Sequence, residues 1–140
     1  MSILFQAEDV QPPKIKKRET SQWIKSVAET YNKKAGDIAF IFCSDEKILE
    51  INNQYLQHDY YTDIITFDYS EGNTITGDIF ISLDTVRSNS EKFKTSYPEE
   101  LNRIIIHGIL HLCGLNDKKP EEREAMTVAE NNALSLLKIK

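Results

Sequence analysis

Cysteine is scarce in this chain. Cys43 and Cys113 are the two among 140 residues, too few and too far apart for a disulfide framework, so a reducing compartment is expected. Long hydrophobic runs are missing as well. No apolar stretch approaches the roughly 20 residues of a membrane helix, and the opening MSILFQAEDV has neither a basic n-region nor a long apolar core, so no signal peptide is expected. These absences predict a cytoplasmic protein without a membrane partner. Positive charge is in short supply too: 17 Lys and Arg against 22 Asp and Glu give a net charge of −5. That balance offers no global attraction to nucleic acid. Basic residues cluster only locally, at Lys14, Lys16, Lys17 and Arg18 and again at Lys118 and Lys119. Such clusters are usually solvated faces. No repeat, low-complexity tract or linker interrupts the chain, so residues 1–140 are read as a single domain, long enough to bury roughly two-thirds of the unfolded surface.

What is present is a regular alternation of strand and helix patterns. A short strand at Ile3–Phe5 is followed by a loop containing Pro12 and Pro13. Thr20 or Ser21 is expected to cap a helix carrying Trp23, Ile24, Val27, Ala28 and Tyr31, with Gly36 as its stop. DIAFIFC (37–43) reads as a strand, and Ser44 opens a helix reaching about Leu56. TDIITFDY (62–69) and TGDIFIS (76–82) have strand character and flank a turn with Gly72 and Asn73. Asp84 is placed at another helix start. Pro98, Glu99 and Glu100 open a helix continuing through LNRIIIHGILHL to Gly114, apolar most of the way round and therefore expected at the centre. Pro120 opens a last amphipathic helix with Met126, Ala129, Ala133, Leu134 and Leu137. The sum is an α+β fold: a small mixed four-stranded sheet packed with four or five helices.

The chemistry is concentrated in HGILHLCGLND (107–117), which holds two of the three histidines. One histidine on an apolar helix is ordinarily a hydrogen-bonded core residue. Two at i and i+4 share a face, and a desolvated imidazole pair without a partner is costly to bury unless a metal ion joins it. Gly108 costs a helix roughly 1 kcal/mol relative to Ala, which suits a place where a backbone or a substrate approaches closely. It also stands where an HExxH peptidase has its glutamate base. Three residues compete as third ligand. Cys113 lies some 200° round the helix from His111 and suits packing better. His58 sits in a distant loop that the fold could bring in. Asp117 is favoured, because Gly114 lets the chain reverse and return a carboxylate to the imidazoles. Two histidines and a carboxylate leave a coordination position open, as catalytic zinc sites do; the same set suits non-haem Fe(II).

HGILHLCGLND resembles the HGxLHLxGYDH signature of the YbeY family, bacterial rRNA maturation factors regarded as single-strand-specific, zinc-dependent endoribonucleases. His107, Gly108, Leu110, His111, Leu112 and Gly114 match, while Asp117 falls at the family's third histidine and Asn116 at its Asp. INNQYLQHDYYTDIITF (51–67) is similar to LNxxYRxxDxxTDVLSF through Asn52, Tyr55, Asp59, Thr62, Asp63 and Phe67. TGDIFIS resembles LGDIxIS through Gly77, Asp78, Ile79, Ile81 and Ser82, and the last helix has Glu124, Met126 and Glu130 in the family's manner. The resemblance implies a zincin-like metal helix with one Zn2+ on His107, His111 and Asp117, and a metal-activated water as nucleophile. Asp78, Thr62 and Asp63 are the expected lining of the adjoining cleft. It further implies single-stranded RNA as substrate, an rRNA precursor and the ribosome as partners, and a role in late rRNA maturation, including the 16S rRNA 3′ end. Two departures stand out. Leu56 occupies the position of an arginine considered important in the family, a natural phosphate ligand. A carboxylate in place of a histidine lowers the charge of the centre and makes the ion a weaker Lewis acid.

Overall fold

The computed structural model describes residues 2–56, Leu56 by its backbone alone, and residues 63–137. In chain order it contains β1 (Ile3–Ala7), α1 (Lys17–Thr30), β2 (Lys34–Cys43), α2 (Asp45–Leu56), β3 (Ile64–Asp68), β4 (Thr74–Ser82), α3 (Leu83–Lys92), α4 (Tyr97–Leu112) and α5 (Pro120–Ser135). The sheet runs β1-β2-β4-β3, with β1, β2 and β4 parallel and β3 antiparallel to β4. This is the mixed four-stranded α+β architecture expected from the alternation of patterns. No helix among the described residues is long and apolar enough to cross a membrane.

The alternation along β4 divides the protein into two cores. Ile75, Ile79 and Ile81 face one side and are at most 1% exposed, joining Trp23, Ile24 and Val27 of α1 and Ile105, Ile106 and Ile109 of α4 in the main core. Residues one position out of phase face the other side. There Phe80 and Phe67 pack with Cys43, Ile48, Ile51 and Ile65 in a smaller cluster under α2. Helix α4 touches α1, α3, α5, β3 and β4. It is the central helix that its apolar sequence required.

Several local expectations shift. Helix α1 begins at Lys17 rather than after Thr20, and Thr20 is itself buried at 1% exposure, so its hydroxyl sits on the packed face instead of capping. The helix ends at Thr30, and the reversal falls to Asn32 with φ 60°, a residue whose short amide tolerates the left-handed region. Gly36 lies inside β2. Helix α3 is capped by Ser82, whose Oγ accepts from Thr85 N at 3.3 Å, so Asp84 falls within its first turn. Ser44 caps α2 as expected, its Oγ accepting from Lys47 N at 3.1 Å.

Candidate metal centre

Both ends of α4 are fixed by its sequence. Ser96 Oγ accepts from Glu99 N at 3.2 Å, and Pro98, Glu99 and Glu100 fill the first turn. At the other end Gly114 N donates to His111 O at 2.9 Å and Leu115 N to Leu110 O at 3.0 Å. This paired closure needs a left-handed residue, and Gly114 supplies it at φ 104°. The turn has two consequences. It sends the chain back along the helix so that Asp117 faces the histidines, and it leaves the Leu115 carbonyl beside His111.

The three side chains converge. His107 Nε2 and His111 Nε2 are 3.0 Å apart, and Asp117 Oδ2 lies 3.3 Å from each. His111 Nδ1 is 3.0 Å from Leu115 O. A carbonyl only accepts, so Nδ1 carries the proton and Nε2 the lone pair. His107 Nδ1 is 2.6 Å from Glu130 Oε2, which likewise draws the proton to Nδ1. Two Nε2 lone pairs and a carboxylate oxygen therefore face one point. That arrangement is repulsive unless a cation occupies it. Ligand atoms around a tetrahedral zinc with bonds of about 2.0–2.1 Å stand about 3.3 Å apart, close to the spacing observed. Among the described residues, His107, His111 and Asp117 form a group able to hold a metal ion.

One further residue supports this group. Glu130 of α5 is 8% exposed and bridges His107 to Arg103, whose Nη1 donates to Oε1 at 2.9 Å while Nη2 donates to Asn131 Oδ1 at 2.8 Å. A carboxylate hydrogen-bonded behind a histidine fixes its tautomer and orients the ring. The signal was available: Glu130 sits i+4 from Met126 on the apolar stripe of α5, and Arg103 is one turn before His107. Burial pulls the pKa of His107 down, but the hydrogen bond and charge of Glu130, with Asp117 and Asp63, more than offset it and leave the pKa raised. Asp63 is raised mainly by burial, against the lowering effect of His107 and of backbone N–H groups.

The remaining candidates separate clearly. Asp63 stands just before β3 in the same cavity wall as His107. Asp78 does not. It pairs with Phe67 in the β3–β4 ladder and is out of phase with Gly77 and Ile79, which meet α4, so it faces the α2 side of the sheet, away from the metal group. This corrects the expectation that Asp78 lines the cleft; sequence adjacency to Gly77 says nothing about which face a strand residue takes. Thr62, Asp59 and His58 lie outside the described residues, as does the side chain of Leu56. Cys113 caps α4 and packs on the main core, and burial pushes its thiol up to about 11, as expected for a small apolar residue. Gly108 packs against side chains of the sheet: a Cβ there would lie 3.0 Å from Ile79 Cδ1 and Cγ2 and 3.2 Å from Ile64 Cδ1. The helix position of a peptidase base is thus pressed onto the sheet.

Comparison with known proteins agrees with this architecture. Residues 5–138 match the family described as Endoribonuclease YbeY. A protein of that name from Parabacteroides distasonis is 71% identical over 137 residues, covering 98% of this chain and 96% of its own. One from Bacteroides fragilis is 68% identical over 138 residues, covering 99% of both. The solution structure of TM1509 from Thermotoga maritima shares the fold with a TM-score of 0.66 at 24% identity, covering 97% of this chain and 89% of that one. With the match running from within β1 through α4 and α5, the chain belongs to the YbeY endoribonuclease family.

Proposed function

We propose that the chain acts as one domain, a zinc-dependent endoribonuclease that cuts single-stranded RNA during late rRNA maturation in the cytoplasm, on precursors presented with the ribosome. Endoribonuclease activity is what relatives 65–71% identical are named for. The observation that carries the metal-dependent reading is the convergence of two Nε2 lone pairs and Asp117 Oδ2 with both Nδ1 protons already engaged. His107, His111 and Asp117 would hold one Zn2+. When bound, the ion supplies Lewis-acid activation of water and neutralises charge at the phosphodiester. Glu130 keeps the proton of His107 on Nδ1, and Arg103 keeps Glu130 in place. Asp63, a half-buried carboxyl that holds a proton more readily than an ordinary aspartate, borders the same cavity and is the residue we assign to proton handling. Gly108 provides no base, which removes the usual peptidase route.

The test is cleavage of single-stranded and structured RNA by the purified chain, with and without chelator, and by His111→Ala. Cleavage of the single-stranded substrate, lost under both treatments and restored to wild type by zinc, supports the proposal. A second reading, a ribosome assembly factor with a mainly structural metal, is favoured by Leu56 at the arginine position of the family signature. Binding of an rRNA precursor without cleavage would select it. Cleavage of small phosphoesters but not RNA would select a hydrolase of another substrate.

A further inference from the structure

Beside the metal group, between α3 and α4, is a cavity of about 220 Å³. His107 forms part of its wall, so whatever enters lies next to the ligand cluster. The floor is apolar, made by Val86 and Ile104, which are 1% and 7% exposed. Most of its polar wall is already engaged, Glu100 by Thr95 Oγ1 and Arg103, Glu130 and His107 by one another, and Asn89 and Asp63 line it as well. The Asn89 carboxamide makes no hydrogen bond among the described residues and offers both a donor and an acceptor; the Asp63 carboxylate offers acceptors. Phe93 stands at the wall and is 57% exposed. Lys92 Nζ lies 5.4 Å from the ring centroid, so the aromatic edge also carries positive charge.

We propose that this cavity is a subsite for one unstacked nucleobase of the RNA strand, the base next to the phosphodiester presented at the metal group. The inference rests on the endoribonuclease reading and adds how the strand is recognised. Size limits the occupant: a cavity of about 150 Å³ takes up benzene, so this one admits a single heterocycle and excludes a base pair. The chemistry fits the same occupant. An apolar floor and an exposed ring suit the faces of a base, a free carboxamide and a carboxylate suit its hydrogen-bonding edge, and Lys92 suits the phosphate that follows. A base held in a duplex cannot enter without leaving its stack. The cavity therefore discriminates for single strands by shape.

An abasic scan tests this. Binding of an unstructured RNA oligonucleotide to the zinc-loaded full chain is measured by fluorescence anisotropy, with one abasic ribose placed at each position in turn. One position adjacent to the cleaved bond is expected to weaken binding about tenfold when its base is removed. Asn89→Trp, which fills the cavity, should weaken the intact oligonucleotide comparably and make the scan flat, with zinc content unchanged. Phe93→Ala, at an exposed position that does not threaten folding, should weaken binding by roughly fivefold. Cleavage by the wild type with a flat abasic scan overturns the subsite while leaving the enzyme reading intact, as does wild-type affinity in both variants. Failure of the wild type to bind or cut RNA overturns both.

Discussion

Replacing Glu130 by Gln isolates the contribution of the carboxylate behind His107. The substitution keeps shape and removes charge. Glu130 now accepts from two donors, His107 Nδ1 at 2.6 Å and Arg103 Nη1 at 2.9 Å. Gln has one acceptor oxygen, so one of these donors must face an amide N–H. Arg103 is partly exposed (31%) and can turn to water; His107 keeps at best a neutral hydrogen bond, about half as strong as the charge-assisted one. Outer-shell carboxylates of this kind are typically worth 10–100-fold in metal affinity, about 1.4–2.8 kcal/mol. Zinc affinity of Glu130→Gln, by competition with a chromophoric chelator, should fall within that range. Alkaline pH is the right condition, because His107 is then neutral and proton competition drops out. Nitrogen-15 NMR of the metal-free chain should show the His107 proton on Nδ1 in wild type and a mixture of tautomers in the variant. A zinc dissociation constant within twofold of wild type, even with a lowered Tm, would refute the reasoning and reduce Glu130 to a structural bridge.

Three further outcomes follow from the same geometry. Gly108→Glu, which recreates HExxH, should not confer peptidase activity and should destabilise the chain by at least the 1–3 kcal/mol of core overpacking, since the new side chain meets Ile79 and Ile64; an unchanged denaturation midpoint would contradict this. His107 has a raised pKa. In the metal-free chain its protonation therefore contributes stability that is full below the ordinary value near 6.5 and lost as pH rises through the raised one. Zinc competes with that proton, so calorimetric affinity should drop as pH falls through the same window, whereas pH-independent affinity between pH 6 and 8 would be inconsistent with the site. Asp63 also has a raised pKa, so its ionisation above that value works against the metal-free fold; Asp63→Asn should raise the metal-free Tm at pH 8 and lower RNA cleavage, and a lowered Tm would show that its backbone hydrogen bonds dominate.

The His107–His111–Asp117 group is legible in the sequence because its information is local. Two histidines at i and i+4 share a face, and Gly114 ends the helix, which is why the sequence favours Asp117 over Cys113 and His58 beside the imidazoles. The apolar wrap of α4 likewise announced its central position. Longer-range relations were not legible. Glu130 approaches His107 across 23 positions of sequence, and an acid on an apolar stripe cannot by itself name its partner. The resemblance implies Asp78 at the cleft, whereas the period-2 alternation of β4 turns it to the opposite face. Glycine usually ends a helix, which makes Gly36 the expected stop of α1, but Asn32 adopts the left-handed conformation four residues earlier. Thr20 has the chemistry of a cap and the periodicity of a core residue; packing on the sheet decided between them.

The most direct test of the account is an anomalous-diffraction map at the zinc edge from crystals of the zinc-loaded chain. It should show one zinc peak shared by His107 Nε2, His111 Nε2 and Asp117 Oδ2, with Glu130 still on His107 Nδ1. A peak ligated through either Nδ1, a peak that excludes Asp117, or zinc bound only elsewhere would contradict the account at its centre.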